Sequence, residues 1–238
     1  GLNPRQRDRA LGAILGAALA DAAGAPYEFS TSCPGIFLTG GGADMVGGGA
    51  LCWEVGEWTD DTAMTVPLLR ALSTEGGLTD DAALDAVAAE WVAWSRMSPD
   101  VGIQTRKVLD AAADAAAMAG EAVTAARLRF AAAALHEQTG RTAGNGSLMR
   151  TAPAALVGLL EEGGDARAVH AARLVSELTH FDPEAAEACA IWTLALRSAI
   201  LRGSADVLAA VTRAAELGAI APERADGVRV TPRVSGKR

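Results

Sequence analysis

The sequence has few cysteines and few aromatic residues, and each shortage excludes a class of protein. Its three cysteines, Cys33, Cys52 and Cys189, are an odd number and include no Cys-x-x-Cys pair. This pattern argues against a disulfide framework or a zinc site, and it fits a reducing cytoplasm. Aromatic residues make up 4% of the chain, although half of its 238 residues are hydrophobic. Alanine and leucine therefore carry the apolar content, and alanine is the strongest helix former.

Basic residues are also in deficit, with 21 against 29 acidic ones and a net charge of −8. Such a surplus of negative charge disfavours general binding of nucleic acid, but it allows one phosphorylated ligand held by local backbone groups. No run reaches the roughly 18 apolar residues of a membrane helix, so we expect no membrane contact. Arg5, Arg7 and Arg9 precede the run LGAILGAALA, which fits either a core helix or a short export signal.

Alternating strand patterns are missing too, and helical periodicity takes their place. The apolar spacing over residues 8–24 predicts a buried helix. Further helices are predicted at about 59–72, 79–98, 101–118, 121–138, 147–161, 165–179, 183–202 and 204–218. Residues 30–58 are rich in glycine and lack this period, so they predict a long loop, and residues 219–238 predict an irregular tail. The sequence therefore predicts a single all-α domain over residues 1–238, of unknown oligomeric state.

Two breaks between helices carry acidic residues. The segment GAALADAAGAPYEF ends a helix near Asp21 and continues to Glu28. The segment WTDDT places Thr59, Asp60 and Asp61 at a helix start, where three oxygen-bearing side chains suit a hard cation such as magnesium. Taken alone, each segment also fits an ordinary helix end, or a helix cap with acids near the positive end of the helix dipole.

Three further segments carry candidate ligand contacts. In GNGSLMR, the small residues Asn145, Gly146 and Ser147 allow backbone N–H groups to approach a diphosphate, although an ordinary turn with a serine cap fits as well. In THFDP, His180 lies between two helices, where it contacts a ligand or caps the preceding helix. In SPDVG, Asp100 caps the next helix or stands in the cleft as an acid.

Taken together and in this order, these segments resemble the ADP-ribosylglycohydrolase family over about residues 9–202. The first is similar to the family's opening GxAxGDAxGxPxEF pattern, with Ala20 in place of a glycine. WTDDT is similar to its first metal motif, GNGSLMR to its glycine loop, THFDP to its histidine motif and SPDVG to a loop that bears an acid. The resemblance implies an all-α fold with two magnesium or manganese ions in a central cleft. It also implies hydrolytic removal of ADP-ribose from a modified protein or another acceptor.

The resemblance assigns roles to nine residues. The metal ligands would be Thr59, Asp60 and Asp61. Glu28 would be a ligand or an acid at the metal centre, and Asp100 would assist water or substrate hydroxyls, so that both are candidate catalytic residues. The contacts to ADP-ribose would come from Asn145, Gly146, Ser147 and His180. Of these we expect Glu28, Asp60, Asp61, Asn145 and His180 to converge on one cleft.

One family motif has no counterpart in this sequence. The family completes its metal site with a DxDT motif near the C-terminus, whereas no DxD occurs here after residue 200, where Asp206 and Asp226 are isolated. A fragment, a divergent member and a replaced tail all fit this difference. Hard cations take about six oxygen ligands each, so we expect weak magnesium binding and low activity. The alternatives are a member that binds ADP-ribose or a partner without catalysis, and a helical interaction domain.

Overall fold

Helices form almost all of the described structure. The computed structural model describes residues 1–29, 44–221 and Arg224. In those residues the only strand-like pairing is an isolated bridge between Gly48 and Trp53. The α-helices are α1 Pro4–Gly24, α2 Asp60–Leu72, α3 Asp81–Ser95, α4 Ile103–Ala119, α5 Ala125–Thr139, α6 Gly164–Glu177, α7 Pro183–Arg202 and α8 Val207–Glu216. The all-α prediction is confirmed, and most predicted helices begin and end within a few residues of these bounds.

Polar caps set where several of these helices begin. Asn3 forms a capping box at α1, and Asp182 caps α7, with Pro183 in its first turn. These side chains accept hydrogen bonds from first-turn N–H groups that have no partner within the helix. The helix predicted from about residue 79 begins at Asp81, because Asp80 is its N-cap and accepts a hydrogen bond from the Ala83 N–H.

The helix predicted over residues 147–161 is wrong. The chain forms two short 3₁₀ segments there, Asn145–Arg150 and Ala152–Leu156. Pro153 has no N–H to donate, so an α-helix cannot run through it without losing a hydrogen bond. Gly158 then adopts a positive φ of 54°, which turns the chain away from a helix before α6 begins.

The predicted loop over 30–58 is irregular where it is described, from residue 44 onwards. Positions 30–43 and nearly all of the predicted tail lie outside the described residues.

The core is centred on Trp91 of α3, which is fully buried. Its indole Nε1 donates a hydrogen bond of 3.0 Å to the Met64 carbonyl of α2, and the Arg150 guanidinium lies 4.2 Å from the ring centroid. The main apolar cluster joins α2 to α6 around this residue, and a smaller one joins α6, α7 and α8. The 3₁₀ segment that ends at Arg150 is thereby fixed against α2 and α3.

The burial predicted for α1 is wrong. Leu11, Leu15 and Leu19 are 57%, 58% and 61% exposed. The helix packs on α7 through another side, where Gln6 and Arg9 donate hydrogen bonds to the Ile200 and Leu201 carbonyls at the end of α7. Its apolar periodicity is therefore real, but the leucines face outward in the described structure.

One helical segment of the described residues is long and apolar enough to cross a membrane, although we expected no such segment from the sequence. It runs from Pro4 to Tyr27, with a mean hydropathy of 1.3 over its most apolar 18-residue window, of which 22% is buried. A core helix or a signal sequence passes the same test. The segment therefore fits both alternatives given by the sequence, a core helix and a short export signal.

Arg197 of α7 holds the chain between the 3₁₀ segments and α6. It is 3% exposed, donates to the Ala155, Val157 and Gly158 carbonyls, and forms an ion pair of 2.9 Å with Asp165. Because these carbonyls belong to irregular backbone, the guanidinium supplies the partners that a helix would otherwise supply.

Replacing Arg197 should therefore be costly. We expect Arg197→Ala to lower the free energy of unfolding by about 3 kcal/mol, because it leaves buried carbonyls without donors. The matched control is Arg213→Ala, since Arg213 binds the same Asp165 but is exposed, and its loss should cost less than about 1 kcal/mol. Urea denaturation monitored by tryptophan fluorescence measures both. Equal losses would contradict this role for Arg197.

Candidate functional site

Asp21 joins the end of α1 to the start of α2. Its carboxylate accepts hydrogen bonds from the backbone N–H and the hydroxyl of both Thr59 and Thr62, with hydroxyl distances of 2.7 and 2.6 Å. One side chain thus satisfies two of the free N–H groups near the start of α2, next to the positive end of its dipole. Our sequence analysis gave Asp21 no role in the site. The signal was its place in the same motif as Glu28.

Asp100 also binds the start of α2. Its Oδ2 accepts a hydrogen bond of 2.7 Å from the Asp60 N–H, and its Oδ1 accepts one from the Ser98 hydroxyl. The alternative in which Asp100 caps the next helix is wrong, because the N-cap of α4 is Gly102, without a side-chain hydrogen bond. The loop before α4 therefore places an acid beside Asp60.

The acids gathered here perturb one another. Burial and, after it, repulsion from neighbouring carboxylates raise the pKa of Asp60 to about 7 and that of Asp61 to about 6. The pKa of Glu28 is raised by burial first, and then by the negative charges of Asp100 and Asp21. We call Asp21, Glu28, Asp60, Asp61 and Asp100 the acid cluster. Its carboxylates lie close enough to disfavour full ionisation together.

The acid cluster fits a hard divalent cation in its chemistry. All its side-chain donors are oxygen atoms, and a cation would relieve the repulsion that raises the pKa values of Asp60 and Asp61. Within residues 1–29, 44–221 and Arg224, however, no three His, Cys, Asp or Glu side chains are grouped closely enough to hold one ion. The hydroxyl of Thr59 is also engaged with Asp21. The donors fit in kind and charge, but they do not form a closed ligand shell.

His180 packs directly against the glycine loop. A Cβ atom at Gly146 would lie 3.0 Å from the His180 Cε1 atom and 3.1 Å from its Nε2 atom, so only glycine fits there without a shift. A Cβ at Gly144 would lie 3.4 Å from the same Nε2. The imidazole itself is 2% exposed. Glycine at position 146 therefore allows the close packing of the histidine, whereas a Cβ at position 144 would make an ordinary contact.

The hydrogen bonds around His180 favour one tautomer. Arg150 Nη2 donates a bond of 2.7 Å to the Thr179 hydroxyl oxygen, which leaves that hydroxyl free to donate to His180 Nδ1 at 2.7 Å. The proton of the neutral ring is then on Nε2, on the side of the glycine loop. Burial and, to a smaller extent, the charge of Arg150 lower the pKa of His180 to about 3. The ring is thus neutral at ordinary pH.

Arg150 joins the glycine loop to Thr179, the residue before His180, by hydrogen bonds to the Gly146 carbonyl and the Thr179 hydroxyl, and sequence analysis gave it no role. It is fully buried, and burial lowers its pKa to about 10, so it stays charged at neutral pH. The negative charges of Cys189 and Asp60 act on this pKa in the opposite direction. The sequence signal that could have identified Arg150 is its position at the end of GNGSLMR, where a charged residue falls on the apolar side of a predicted helix.

The remaining predicted ligand contacts, Ser147 and Asn145, differ in their exposure to solvent. Ser147 is 1% exposed, and its hydroxyl accepts a hydrogen bond of 2.9 Å from Ser176 and lies 3.4 Å from the Cys189 sulfur. That hydroxyl is turned into the core, away from any ligand outside the loop. Asn145, in contrast, is exposed at the start of the 3₁₀ segment. The structure thus gathers the acids around the start of α2 and packs His180 against the glycine loop, while Asn145 lies exposed at the edge of that loop.

Two curated proteins are similar to this chain in sequence. The chain is 36% identical over 163 residues to the ADP-ribosyl-dinitrogen reductase glycohydrolase of Rhodospirillum rubrum, which covers 66% of this chain and 47% of that protein. It is 33% identical over 161 residues to the ADP-ribosylarginine hydrolase Tri1 of Pseudomonas putida strain GB-1, or 65% of this chain and 38% of that protein. Each match thus spans less than half the length of the curated relative.

The structural comparison agrees with the sequence comparison. A chain of a solved structure described as an ADP-ribosylglycohydrolase-related protein complex superposes with a TM-score of 0.59 and 27% identity. The match covers 91% of this chain and 64% of that one. The profile of the family described as ADP-ribosylglycohydrolase matches residues 2–234, nearly the whole sequence. This chain therefore belongs to the ADP-ribosylglycohydrolase family.

Proposed function

We propose that the protein removes ADP-ribose from a modified protein by hydrolysis at the anomeric carbon of the ribose. The observation that carries this proposal is the acid cluster at the start of α2, where burial and mutual repulsion raise the pKa values of Asp60 and Asp61. Perturbed acids of this kind are typical of sites that handle protons or bind cations. The relatives are named for action on ADP-ribosylated dinitrogen reductase and ADP-ribosylarginine, which supports an arginine acceptor.

Glu28 is the residue we propose as the general base. A carboxylate whose pKa is raised towards neutrality accepts a proton from water more readily than an ordinary one. Glu28 is exposed after the turn that follows α1, so a water molecule and substrate can reach it. Asp100 has hydrogen bonds to both oxygens and holds the Asp60 backbone in place, which makes it the supporting acid beside Glu28.

Thr59, Asp60 and Asp61 would hold magnesium or manganese in this proposal. A bound divalent cation would orient the ribose hydroxyls and acidify the attacking water. The Asp60 and Asp61 carboxylates would remain ionised beside it, since an adjacent positive charge lowers their pKa. Thr59 holds the first turn of α2 in place through Asp21, so that both aspartates start from a fixed backbone.

The glycine loop and His180 would bind the ADP-ribose. The neutral imidazole with its proton on Nε2 donates a hydrogen bond but adds no charge, which suits a ribose hydroxyl or a phosphate oxygen. Backbone N–H groups at Asn145 and Gly146 would approach the diphosphate, and the Asn145 side chain lies exposed beside them. The leaving group is an arginine guanidinium or a serine oxygen, and the transition state has oxocarbenium character.

A second candidate function is binding of ADP-ribose without catalysis. One observation favours it: in the described residues, no group of three His, Cys, Asp or Glu side chains can hold one ion. In that case the glycine loop and His180 would bind ligand while the acid cluster stayed partly protonated. A hydrolysis assay separates the two functions.

We expect Glu28→Gln to lower the release of ADP-ribose from ADP-ribosylated arginine protein by about 100-fold or more, because the amide cannot accept a proton. The substrate protein is incubated with millimolar magnesium, and free ADP-ribose is measured by chromatography. Glu75→Gln, an exposed change after α2, is the matched control and should release ADP-ribose at the wild-type rate. The same assay with serine-modified protein identifies the acceptor. A wild type that binds ADP-ribose but releases none would favour the second function.

We also expect the 238-residue chain to bind magnesium weakly, with a dissociation constant in the millimolar range. Three neighbouring donors supply at most half of the roughly six oxygens that the ion prefers, and magnesium tolerates irregular geometry poorly. Isothermal calorimetry measures the binding, and Asp60→Asn should weaken it further. Tight binding of two ions by the wild type would contradict this expectation.

A further inference from the structure

The first turn of α4 carries a glutamine that donates hydrogen bonds to two distant parts of the chain. The Nε2 atom of Gln104 donates a bond of 3.0 Å to the Thr142 carbonyl and one of 3.1 Å to the Thr179 carbonyl. Thr142 lies just before the glycine loop, and Thr179 comes directly before His180. One half-buried amide therefore joins two segments that are 37 positions apart or more from each other only through tertiary packing. We call this pair of bonds the Gln104 clamp.

The partners of the amide decide which of its two ends faces the glycine loop. Both partners are carbonyl oxygens, which only accept hydrogen bonds, so the NH₂ group of Gln104 must point at them. The amide oxygen is then on the side of the glycine loop, where a Cβ atom built at Gly144 would lie 3.5 Å from Oε1. The same Cβ atom would lie 3.4 Å from His180 Nε2. The Gln104 amide and the imidazole thus lie against one face of Gly144.

The next residue of α4 also lies against the glycine loop. A Cβ atom built at Gly146 would lie 3.6 Å from the Thr105 hydroxyl oxygen and 3.0 Å from His180 Cε1. Thr105 is 3% exposed, so it is part of the packed structure under the loop. The start of α4 and the histidine therefore meet the glycine loop at both Gly144 and Gly146.

The helix that carries Gln104 is itself held firmly. Leu109, in the second turn of α4, is fully buried in the main apolar cluster. Arg106 donates hydrogen bonds of 3.0 and 3.1 Å to the Ser95 and Ser98 carbonyls, at the end of α3 and in the loop that follows it. The Ser98 hydroxyl in turn donates to Asp100 of the acid cluster. The start of α4 thus supports the acid cluster through Arg106 and the glycine loop through its amide.

We propose that Gln104 is a positioning residue of the ADP-ribose site, which holds the glycine loop and His180 at the separation that the ligand requires. The proposal rests on the function proposed above, since it takes this loop and this histidine as the ligand contacts. The Thr142 and Thr179 carbonyls belong to irregular backbone, so the amide supplies partners that a helix would otherwise supply. Gln104 acts through these two segments and not by a contact to the ligand.

Gln104→Met removes the clamp with little change in size. Methionine is as long as glutamine, has no hydrogen atom to donate, and adds no charge beside a diphosphate. Gln138→Met is the matched control, because Gln138 is an exposed glutamine in the last turn of α5. Circular dichroism verifies that all three chains are folded at the temperature of the measurements.

Amide hydrogen exchange of the free protein tests the clamp without any ligand. We expect Gln104→Met to raise the exchange rates in residues 142–147 and 179–181 by about tenfold, because these segments then open locally more often. The first turn of α2 should exchange at the wild-type rate, and Gln138→Met should change neither region. Unchanged exchange in the two segments, or an equal rise throughout the chain, would overturn the proposal.

Calorimetry with ADP-ribose in millimolar magnesium tests the effect on the ligand. We expect the dissociation constant of Gln104→Met to be about tenfold higher than that of the wild type, because a displacement of about 1 Å is enough to weaken the contacts of a binding group. Gln138→Met should bind as the wild type does. Equal affinity of Gln104→Met and the wild type would overturn the positioning role. A wild type that binds no ADP-ribose would overturn the proposed function together with the ligand role of Gln104, whereas the exchange measurement would still show whether the clamp exists.

Discussion

The hydrogen bonds of Asp21 are the contact on which the candidate site depends. One carboxylate accepts from the backbone and the hydroxyls of Thr59 and Thr62, and so fixes the first turn of α2 to the end of α1. Asp60 and Asp61 follow Thr59 directly, and Glu28 follows the turn after α1. A helix that starts at any other place would direct these acids away from one another.

Holding the acids together opposes folding, and the structure offsets this only in part. The carboxylate of Asp21 is held by four donors from Thr59 and Thr62, whereas the guanidinium of the fully buried Arg150 is engaged with Thr179 and lies over Trp91. The remaining repulsion appears in the raised pKa values of Asp60 and Asp61. In our account, a cation and the hydroxyl groups of ADP-ribose would bind to these uncompensated carboxylates.

The sequence predicted the helices well, because alanine-rich apolar periods and polar caps are local signals. The prediction failed around Pro153, where the chain forms 3₁₀ turns instead of the predicted α-helix. It also failed at α1, because the apolar period of a helix does not tell whether its leucines face the core or the solvent. Local patterns named Asp60, Asp61 and His180 as candidates. They could not show that Asp21 binds two threonines about forty positions away, nor that Arg150 donates to Thr179, since both depend on tertiary packing.

The most direct test of the account is the free energy of unfolding between pH 5 and pH 8, in a chelating buffer. The pKa of Asp60 is raised in the fold to about 7, so its contribution is favourable at low pH and is lost as pH rises through 7. His180, with a pKa lowered to about 3, acts in the opposite direction, so the wild type is compared with Asp60→Asn and the exposed control Asp110→Asn. We predict that Asp60→Asn changes the slope by up to about 1.4 kcal/mol per pH unit and is the more stable chain at pH 8. Parallel curves for the wild type and Asp60→Asn would contradict a crowded acid cluster.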